Sequence, residues 1–491
     1  MLCNNHVLTE SFKKEVFILD KKTSYRADAK GLLRGIECAV EVVLLCVLYY
    51  FVWRHGYNEG VFPYFHYNGK YVLTGVYGLL VILMFSNLDC FMIGQLKGSD
   101  ILLGQIIALF ITNFITYFQL CLIANRMVTP VPLLILFVLD IIVAAALVMV
   151  YTKLYSKFYA PHNMLLVFGS DNAVGIKIKM DARRDKYNIS KLISVDEGID
   201  AVCEEILKYD AVLLNDLPPQ VRNDILKFCY SNDKRVYTVP KISDILIRGG
   251  KDVTLFDTPL LCIRNRGISL TQRIVKRAMD IIISGLMLIA LSPIMLLVAL
   301  AIKIEDRGPV FYKQMRMTRD AKEFGILKFR SMVPDAEKLT GAAMASEKDP
   351  RITKVGRFVR ATRLDEIPQL INILKGDMSI VGPRPERKVF IDEYCETMPE
   401  FAYRMKVKGG LTGYAQIYGK YNTSPYDKLR LDLMYIENYS LLLDIKLIIL
   451  TIKIMFSKDS TEGIDVAQKN ERLKEQLLQE IHEGAKSTEL K

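Results

Sequence analysis

The amino-acid sequence predicts a multi-domain membrane protein, in which a four-helix transmembrane bundle is followed by an α/β domain and a mainly helical domain. Three observations predict this class. Four long apolar stretches lie near the amino terminus, short β-branched runs alternate with amphipathic helices after them, and a further uncharged run opens a segment rich in Arg, Gly and Pro. The chain has 491 residues, 51% hydrophobic and 24% charged, so it is neither disordered nor embedded in lipid throughout.

The amino-terminal part predicts a membrane bundle with both ends on the same side. Residues 1–30 are lysine-rich and too polar for a signal peptide, so we expect a cytoplasmic segment. The bundle, residues 31–155, has four stretches near the roughly 20 residues that a spanning helix needs. They lie at 36–53, 71–94, 101–124 and 131–151. Basic residues flank the bundle at both ends, which places both ends inside.

Acidic residues occur in or beside these stretches, at Glu37, Glu41 and Asp140. An ionisable group at membrane depth is a candidate functional site, but Glu37 and Glu41 lie near a helix end that water can reach. We expect structural or interfacial roles for them.

Charge and cysteine content narrow the class of protein. A net charge of +11 suits anionic lipid headgroups, phosphorylated substrates or nucleic acid, and composition alone does not choose among them. The nine cysteines are scattered, without a CxxC pair or a Cys/His cluster. This pattern argues against a disulfide framework and against a structural zinc site.

Residues 160–262 predict a Rossmann-like α/β domain. Strands are expected at 164–168, 187–195, 211–214 and 235–239, with helices around 197–207 and 218–231. This alternation is typical of a parallel, doubly wound sheet. The loop after the first strand, residues 169–175, lacks both the close glycine pair of GxGxxG and the Lys-Ser/Thr of a P-loop. We therefore favour a spacer or assembly domain over a dinucleotide site.

The run Ile281–Ile302 contains 22 residues without a charge, which is long enough to cross a bilayer. However, basic residues precede and follow it, so both flanks are expected to be cytoplasmic. Ser292-Pro293 lies at its midpoint, where proline removes a backbone hydrogen bond and the serine hydroxyl can satisfy the freed carbonyl. We predict a re-entrant helix over 278–304 with a hairpin at this break; a Pro-kinked transmembrane helix is the alternative.

The predicted carboxy-terminal domain covers residues 268–457 and is followed by a charged tail at 458–491 that lacks a core. Its last apolar run, LLLDIKLIILTIKIMF, is too short and too charged to span a bilayer comfortably. It suits a helix that lies in the membrane interface.

The pair Asp365-Glu366 is the strongest candidate for chemistry. The apolar period that follows, with Pro368 allowed only in a first turn, predicts a short helix with both acids at its amino terminus. That end of a helix attracts anions, phosphate included. Four arginines surround the pair in sequence: Arg357, Arg360, Arg363 and Arg384. This pattern favours a phosphoryl-transfer site, while a capping aspartate with surface salt bridges is the alternative.

Several ordered motifs extend this pattern over nearly 190 residues. They are Leu291-Ser292-Pro293, KFRSM at 328–332, RLDEIPQL at 363–370, KGDMSIVGPRPE at 375–386 and GLTGYAQ at 410–416. Residues from about 270 to 456 thereby resemble the bacterial sugar transferases, the monotopic phosphoglycosyl transferases. The upstream architecture is similar to the large form of that family, the polyprenyl glycosylphosphotransferases of exopolysaccharide and capsule pathways.

The resemblance implies transfer of a sugar 1-phosphate from a nucleoside diphosphate sugar, usually a UDP-sugar, to a polyprenyl phosphate such as undecaprenyl phosphate. By motif, Asp365 is the nucleophile that forms a phosphosugar-enzyme intermediate, and Glu366 beside it is the metal partner for Mg²⁺. Basic positions around the phosphates fall on Lys328, Arg330, Arg360, Arg384 and Lys420. Lys420 replaces a family arginine and cannot hold an oxyanion with two parallel hydrogen bonds. Gly409-Gly410 likewise replaces a common Pro-Gly.

The resemblance also implies a multi-pass protein of the bacterial cytoplasmic (inner) membrane, with the catalytic domain facing the cytoplasm and lipid as a partner. The oligomeric state stays open, and a homo-oligomer is among the assemblies that the sequence allows. Another class, a non-catalytic nucleotide-sensing membrane scaffold of a polysaccharide assembly complex, does not need the acid pair. Nucleic acid is not expected as a partner, because the basic residues cluster beside membrane segments without interleaved aromatic residues.

Overall fold

The protein is described here by a computed structural model. The structure describes residues 10–57, 68–159, 161–169, 173–263, 267–333, 349, 351–419 and 423–455, and the side chains of residues 10–30 are not described. The described chain is mainly helical, with four small sheets. It divides into two compact units, one ending at Val239 and the other beginning at Pro240. The predicted charged tail at 458–491 lies outside the described residues.

Five helices among the described residues are long and apolar enough to cross a membrane. The first four are α1 (Glu10–Gly56, apolar from Gly31), α2 (Gly69–Asn87), α3 (Gly98–Ala124) and α4 (Val131–Phe158). They pack in sequence order and α1 also contacts α4, which agrees with the four apolar stretches of the sequence. Each leaves one face of large apolar side chains exposed, as a lipid-facing helix does.

Polar side chains lie inside these four helices. The buried carboxylate of Asp140 accepts a hydrogen bond from the Tyr77 hydroxyl at 2.9 Å, and Gln105 Nε2 donates to Glu41 Oε1 at 2.7 Å. Glu37 and Glu41 are each only 2% exposed, so they face the other helices instead of the water that their position near a helix end suggested. These contacts join helices to one another.

The first unit ends in a four-stranded parallel sheet of order β2-β1-β3-β4. Its strands are β1 (His162–Phe168), β2 (Tyr187–Ser194), β3 (Ala211–Asn215) and β4 (Arg235–Thr238). Helices α6 (Ile199–Ile206) and α7 (Pro219–Ser231) cover one face and α5 (Ala173–Asp181) the other, because alternate strand residues point to opposite faces. The parallel sheet and its four strands were predicted. Residues 170–172 of the loop after β1 lie outside the described residues.

The boundary predicted at 262 differs from the division at Val239. Helix α8 (Ile242–Arg248) packs on α14 (Pro425–Glu437), and Ile245 is buried in the core of the second unit. A two-stranded hairpin follows, β5 (Lys251–Leu255) and β6 (Thr258–Cys262), which does not join the parallel sheet. Hydrophobic packing of α8 therefore assigns residues 240–262 to the second unit.

The second unit surrounds one main hydrophobic core. Its further elements are α9 (Leu270–Asp306), β7 (Phe311–Met317), β8 (Glu323–Phe329), α10 (Lys354–Ala361), α11 (Gln369–Lys375), β9 (Ser379–Val381), α12 (Lys388–Thr397), β10 (Gly410–Thr412), α13 (Tyr414–Tyr418), α14 and α15 (Leu441–Met455). Strands β7 and β8 form an antiparallel hairpin, and β9 pairs in parallel with β10. Buried side chains of β8, α11, β9, α14 and α15 fill the core.

Helix α9 is attached to this unit by the polar side chains of its first half. Lys276 Nζ lies 2.6 Å from Asp444 Oδ2 of α15, and both side chains are buried. Asp280 Oδ1 accepts hydrogen bonds from the Ser379 hydroxyl at 3.1 Å and from the Ile380 N–H at 3.0 Å. Paired charges that are buried in this way hold the start of α9 against β9 and α15.

The second half of α9 is attached to the same unit at a different place. Its side chains Val298 and Ile302 pack with Phe329 of β8 and Val359 of α10. Asp306 pairs with Arg330, next to the carbonyl of Val310 that accepts the Arg330 N–H. The helix therefore leaves and rejoins one compact unit, while most of the side chains between its attached ends are exposed.

The hairpin predicted at Ser292-Pro293 is not a break in the helix. Helix α9 is continuous through Pro293. The Ser292 hydroxyl donates to the Ile289 carbonyl at 2.8 Å, which is the acceptor that the missing N–H of Pro293 leaves unpaired. The predicted serine contact is present, and by satisfying that carbonyl it lets the helix continue past the proline.

Candidate active site

Asp365 and Glu366 lie in a single 3₁₀ turn, Leu364–Glu366, between α10 and α11. The sequence predicts them at the amino terminus of a helix; in the structure α11 begins three residues later, at Gln369, with Pro368 before it. Arg363 precedes the turn in the left-handed conformation, with φ of 54°. The turn packs against β8.

The carboxylate of Glu366 is held by two cations. Its Oε1 lies 2.7 Å from Arg384 Nη2 and 3.2 Å from Lys328 Nζ. Burial raises the pKa of Glu366, but Arg384 and Lys328 outweigh it and hold that pKa well below its usual range. Glu366 is therefore held in its ionised form, paired with two cations.

Asp365 has a different environment one residue away. Among the described residues it makes no hydrogen bond or ion pair. Burial raises its pKa, with Glu366 adding to the rise and Lys328 and Arg360 opposing it. A helix amino terminus, where the sequence places Asp365, would lower its pKa; in the structure desolvation outweighs the nearby cations and the pKa is raised. Asp365 is therefore a partly desolvated carboxylate without a partner among the described residues. Its neighbour Glu366 is ionised, and two cations balance its charge.

Lys328 reaches the pair from β8. Burial lowers its pKa, and Glu366 opposes that shift. Tyr312 of β7 lies directly opposite Lys328 in the hairpin register, so the two side chains share one face. The hairpin thereby places one cation and one aromatic side chain on the face that meets the 3₁₀ turn Leu364–Glu366, called the acid turn below.

Arg384 is held in place through its backbone. Four donors bind the carbonyls of residues 383–386: Gly410 N at 2.9 Å, Arg404 Nη2 at 3.0 Å, Arg316 Nη1 at 3.3 Å and Met317 N at 3.0 Å, in that order. Gly382 begins this loop, and a Cβ there would overlap the Lys408 carbonyl. Because the carbonyls of residues 383–386 are all hydrogen-bonded, the backbone from which the Arg384 side chain extends is held in one position.

The other predicted phosphate ligands have different outcomes. Arg360 lies at the end of α10, near enough to Asp365 to influence its pKa. Arg330 is buried and pairs with Asp306, so its guanidinium faces the end of α9 instead of the acid turn. Lys420 lies outside the described residues. The structure thus brings together Asp365, Glu366, Lys328, Arg384 and, at longer range, Arg360.

Sequence reasoning missed the buried pair of Arg404 and Asp432. Arg404 Nη2 lies 2.8 Å from Asp432 Oδ2, with side-chain exposures of 4% and 1%. The same nitrogen donates to the Arg384 carbonyl. Neither residue belongs to a recognisable motif; only the placement of Asp432 on the buried face of α14 distinguishes it, and that face is known from packing.

The acid turn has the ligands for a magnesium ion that takes only one or two of its ligands from the protein. Mg²⁺ typically takes one or two carboxylates and completes its shell with water and substrate phosphates. Asp365 lacks a partner in the described part of the chain, and both hydrogen bonds to Glu366 go to Oε1, leaving Oε2 for a ligand. The described residues contain no group of three or more acidic, His or Cys side chains for a closed metal site.

Comparison with known proteins gives one family match within the second unit and several similar relatives. Residues 271–458 match the family model described as bacterial sugar transferase. The chain is 42% identical over 206 residues to the UDP-glucose:undecaprenyl-phosphate glucose-1-phosphate transferase of Escherichia coli (strain K12), covering 41% of this chain and 42% of that protein. It is 36% identical over 253 residues to the UDP-N-acetylgalactosamine-undecaprenyl-phosphate N-acetylgalactosaminephosphotransferase of Aeromonas hydrophila, covering 50% and 59%.

A shorter relative is matched over most of its length. The UDP-glucose:undecaprenyl-phosphate glucose-1-phosphate transferase of Caulobacter vibrioides (strain ATCC 19089 / CIP 103742 / CB 15) is 39% identical over 190 residues, which are 38% of this chain and 71% of that protein. The chain spans about half the length of the longer relatives, between 42% and 59%. The chain belongs to the bacterial sugar transferase family.

Proposed function

We propose that this protein transfers a sugar 1-phosphate from a UDP-sugar to undecaprenyl phosphate or a related polyprenyl phosphate, the first step in building a surface polysaccharide. The relatives' names state this reaction class with glucose or N-acetylgalactosamine as the sugar. One observation in the structure carries the proposal: two adjacent acids have unequal environments. Glu366 forms ion pairs with Lys328 and Arg384 that balance its charge, while Asp365 has no partner among the described residues.

This inequality supports a covalent route. An oxygen of Asp365 attacks the phosphorus that bears the sugar, and the bond from that phosphorus to the bridging oxygen breaks. Nucleoside monophosphate leaves with the electron pair, and Asp365 carries the sugar phosphate. An oxygen of the polyprenyl phosphate then attacks the same phosphorus, which forms the lipid diphosphate sugar and releases the Asp365 carboxylate.

The surrounding residues bind and orient the substrate. Partial burial of Asp365 removes water that would weaken its nucleophilicity, and Lys328, Arg384 and Arg360 offset the negative charge of the incoming phosphates. The planar guanidinium of Arg384 can bind two phosphate oxygens at once, so we propose that Arg384 contacts the substrate phosphate directly. Arg330 has a structural role at the end of α9.

We propose that Asp365 and Glu366 Oε2 hold Mg²⁺ together with substrate phosphates. When bound, the ion supplies positive charge that stabilises the developing charge on the phosphate oxygens. Because Glu366 already binds two cations, the ion depends on the substrate for most of its ligands.

The attachments of α9 support its assignment as a re-entrant membrane helix. Both halves contact the same unit, through Lys276 and Asp280 at one end and through Ile302 and Asp306 at the other. A helix that crossed the bilayer would separate these two attachments. We propose that α9 bends at Pro293 without losing its helical conformation, so that it enters and leaves one leaflet on the cytoplasmic side of the inner membrane. In this arrangement α15 lies in the interface and the parallel sheet is a Rossmann-like spacer.

The test offers purified full-length protein a panel of nucleotide sugars with undecaprenyl phosphate and Mg²⁺. We expect release of UMP and formation of a lipid-linked sugar with at least one UDP-sugar. Nucleotide binding without release of UMP from any sugar nucleotide would contradict the proposal and favour the non-catalytic scaffold.

A further inference from the structure

A groove along β7 is not used by the chemistry proposed above. It has a volume of about 310 Å³. One wall is the strand β7, from Tyr312 to Met317, and the other is the start of α12, at Arg387, Lys388 and Val389. Six consecutive residues of β7 line it, which means that the groove follows the edge of the strand that does not pair with β8.

The lining of the groove is cationic. Lys313, Arg387 and Lys388 contribute positive charge, Arg316 lies 3.5 Å from Glu386 Oε2, and Glu323 is the acidic residue in the lining. Glu323 Oε1 lies 3.8 Å from Lys388 Nζ, so part of that negative charge is already offset. The groove therefore favours an anionic ligand.

Polar side chains on β7 form a ladder toward the acid turn. Arg316 donates to Gln314 Oε1 from Nε at 3.0 Å and from Nη2 at 2.7 Å, while Gln314 Nε2 lies 3.4 Å from the Tyr312 hydroxyl. Because Arg316 occupies the amide oxygen, the amide nitrogen of Gln314 is fixed as a donor near the Tyr312 ring. A fixed donor beside an aromatic ring suits a base that offers a carbonyl oxygen, as uracil does at two positions.

The groove and the acid turn are joined by this strand. Tyr312 lies opposite Lys328, whose Nζ lies 3.2 Å from Glu366 Oε1. At the other end, Arg316 Nη1 donates to the Pro385 carbonyl next to Arg384. Residues that line the groove are therefore linked to Lys328 at one end of β7 and to the loop of Arg384 at the other.

We infer that this groove binds the nucleoside monophosphate half of the sugar nucleotide, with Tyr312 against the base, Gln314 donating to a base carbonyl and Lys388 near the phosphate. The inference rests on the proposed function for the identity of the substrate. The volume lies at the lower limit of ligand cavities, which suits half of a sugar nucleotide better than the whole molecule. On this inference, the groove holds the nucleoside monophosphate, which is the leaving group of the first step.

The experiment measures equilibrium binding of UMP to the full-length protein in lipid nanodiscs. Tyr312→Ala and Lys388→Glu should each weaken UMP binding about tenfold, the loss expected when a stacking or charge contact of modest strength is removed. Tyr312→Phe should bind within about twofold of the parent protein, because it keeps the ring. Lys375→Glu, an equal charge reversal on the exposed end of α11, is the matched control and should bind normally.

Steady-state kinetics then shows whether the groove binds the nucleotide phosphate of the UDP-sugar or the phosphate of the polyprenyl lipid. We expect the KM for the UDP-sugar to rise in Tyr312→Ala and Lys388→Glu, with the KM for polyprenyl phosphate unchanged. A rise in the polyprenyl phosphate KM alone would assign the groove to the lipid phosphate and overturn the inference. So would UMP binding that is absent in the parent protein or unchanged in both variants. If the protein turned over no UDP-sugar but still bound UMP in a Tyr312-dependent way, the proposed reaction would be refuted. The assignment of the groove as a nucleotide site would then still hold.

Discussion

Arg384 Nη2 lies 2.7 Å from Glu366 Oε1, although the two residues are 18 positions apart and are carried by a loop and a 3₁₀ turn. This contact makes the adjacent acids unequal. It neutralises Glu366 and leaves Asp365 without a partner in the described part of the chain. It also links the acid turn to the bound loop at 383–386, so a change in that loop reaches the acids through one side chain.

The covalent step predicts that Asp365→Asn loses activity by on the order of 10³-fold or more, because an amide cannot act as the nucleophile. With a sugar-labelled UDP-sugar and no acceptor, the parent protein should release a burst of UMP and retain label on the peptide containing Asp365. Asp365→Asn should give neither. Asp320→Asn, an exposed acid that pairs with Arg319, is the control. Full turnover by Asp365→Asn would leave a direct displacement in a single step.

The pKa shifts predict a change in pH dependence for Glu366→Gln. Asp365 must be ionised to attack, so kcat/KM falls as the pH drops through its pKa. Burial and the Glu366 charge raise that pKa, and removing the charge leaves Lys328 and Arg384 to lower it. The acid limb of kcat/KM should therefore move to lower pH while turnover slows and more Mg²⁺ is required. An acid limb that stays in place or moves to higher pH would contradict the assigned roles.

The buried pair of Arg404 and Asp432 predicts a separation of stability from activity. Arg404→Met should lower the free energy of unfolding by about 3–5 kcal/mol, because Asp432 is left buried without its partner. It should also lower kcat, because the Arg384 carbonyl loses a donor and the side chain on Glu366 shifts. The double variant Arg404→Met with Asp432→Leu should regain most of the stability and little of the activity. Thermal unfolding and UMP release measure the two; recovery of both would refute the positioning role.

The attachments of α9 predict the topology of its flanks. In a variant without native cysteines, single cysteines at Arg273 and Lys313 should both be labelled only from the cytoplasmic side. Pro293→Ala should straighten the helix, so that a fraction of molecules crosses the bilayer and exposes one flank on the far side. Labelling of the two flanks from opposite sides in the protein with Pro293 would exclude a re-entrant helix.

The division at Pro240 predicts different behaviour for two truncated proteins. A chain starting at residue 240 keeps α8, whose Ile245 is buried in the core of the second unit. A chain starting at residue 265 lacks it and should be less stable by about 1.5–3 kcal/mol, the contribution of one buried isoleucine. Both keep the acid turn and should release UMP from a UDP-sugar. Equal melting temperatures would show that α8 adds nothing to this core, and inactivity of both folded proteins would assign the upstream unit a part in the active site.

The sequence by itself determined those features that depend on local composition and pattern. Apolar stretches of spanning length identify α1 to α4 and α9, since the thickness of a bilayer sets the length of a helix that crosses it. Alternating β-branched runs identify the four parallel strands. Ser292 beside Pro293 indicates which carbonyl the hydroxyl satisfies, because that contact lies within one helical turn.

Only the tertiary structure decided which side chains meet across long stretches of chain. Lys328, Glu366 and Arg384 come together, whereas Arg330, which lies in the same KFRSM motif as Lys328, pairs with Asp306 instead. Neither the pairing of Arg404 with Asp432 nor the packing of α8 on α14 has a local signal. These contacts depend on how helices and strands pack around the core. The raised pKa of Asp365 follows from the same packing, because the degree of burial of a carboxylate is a property of the folded chain.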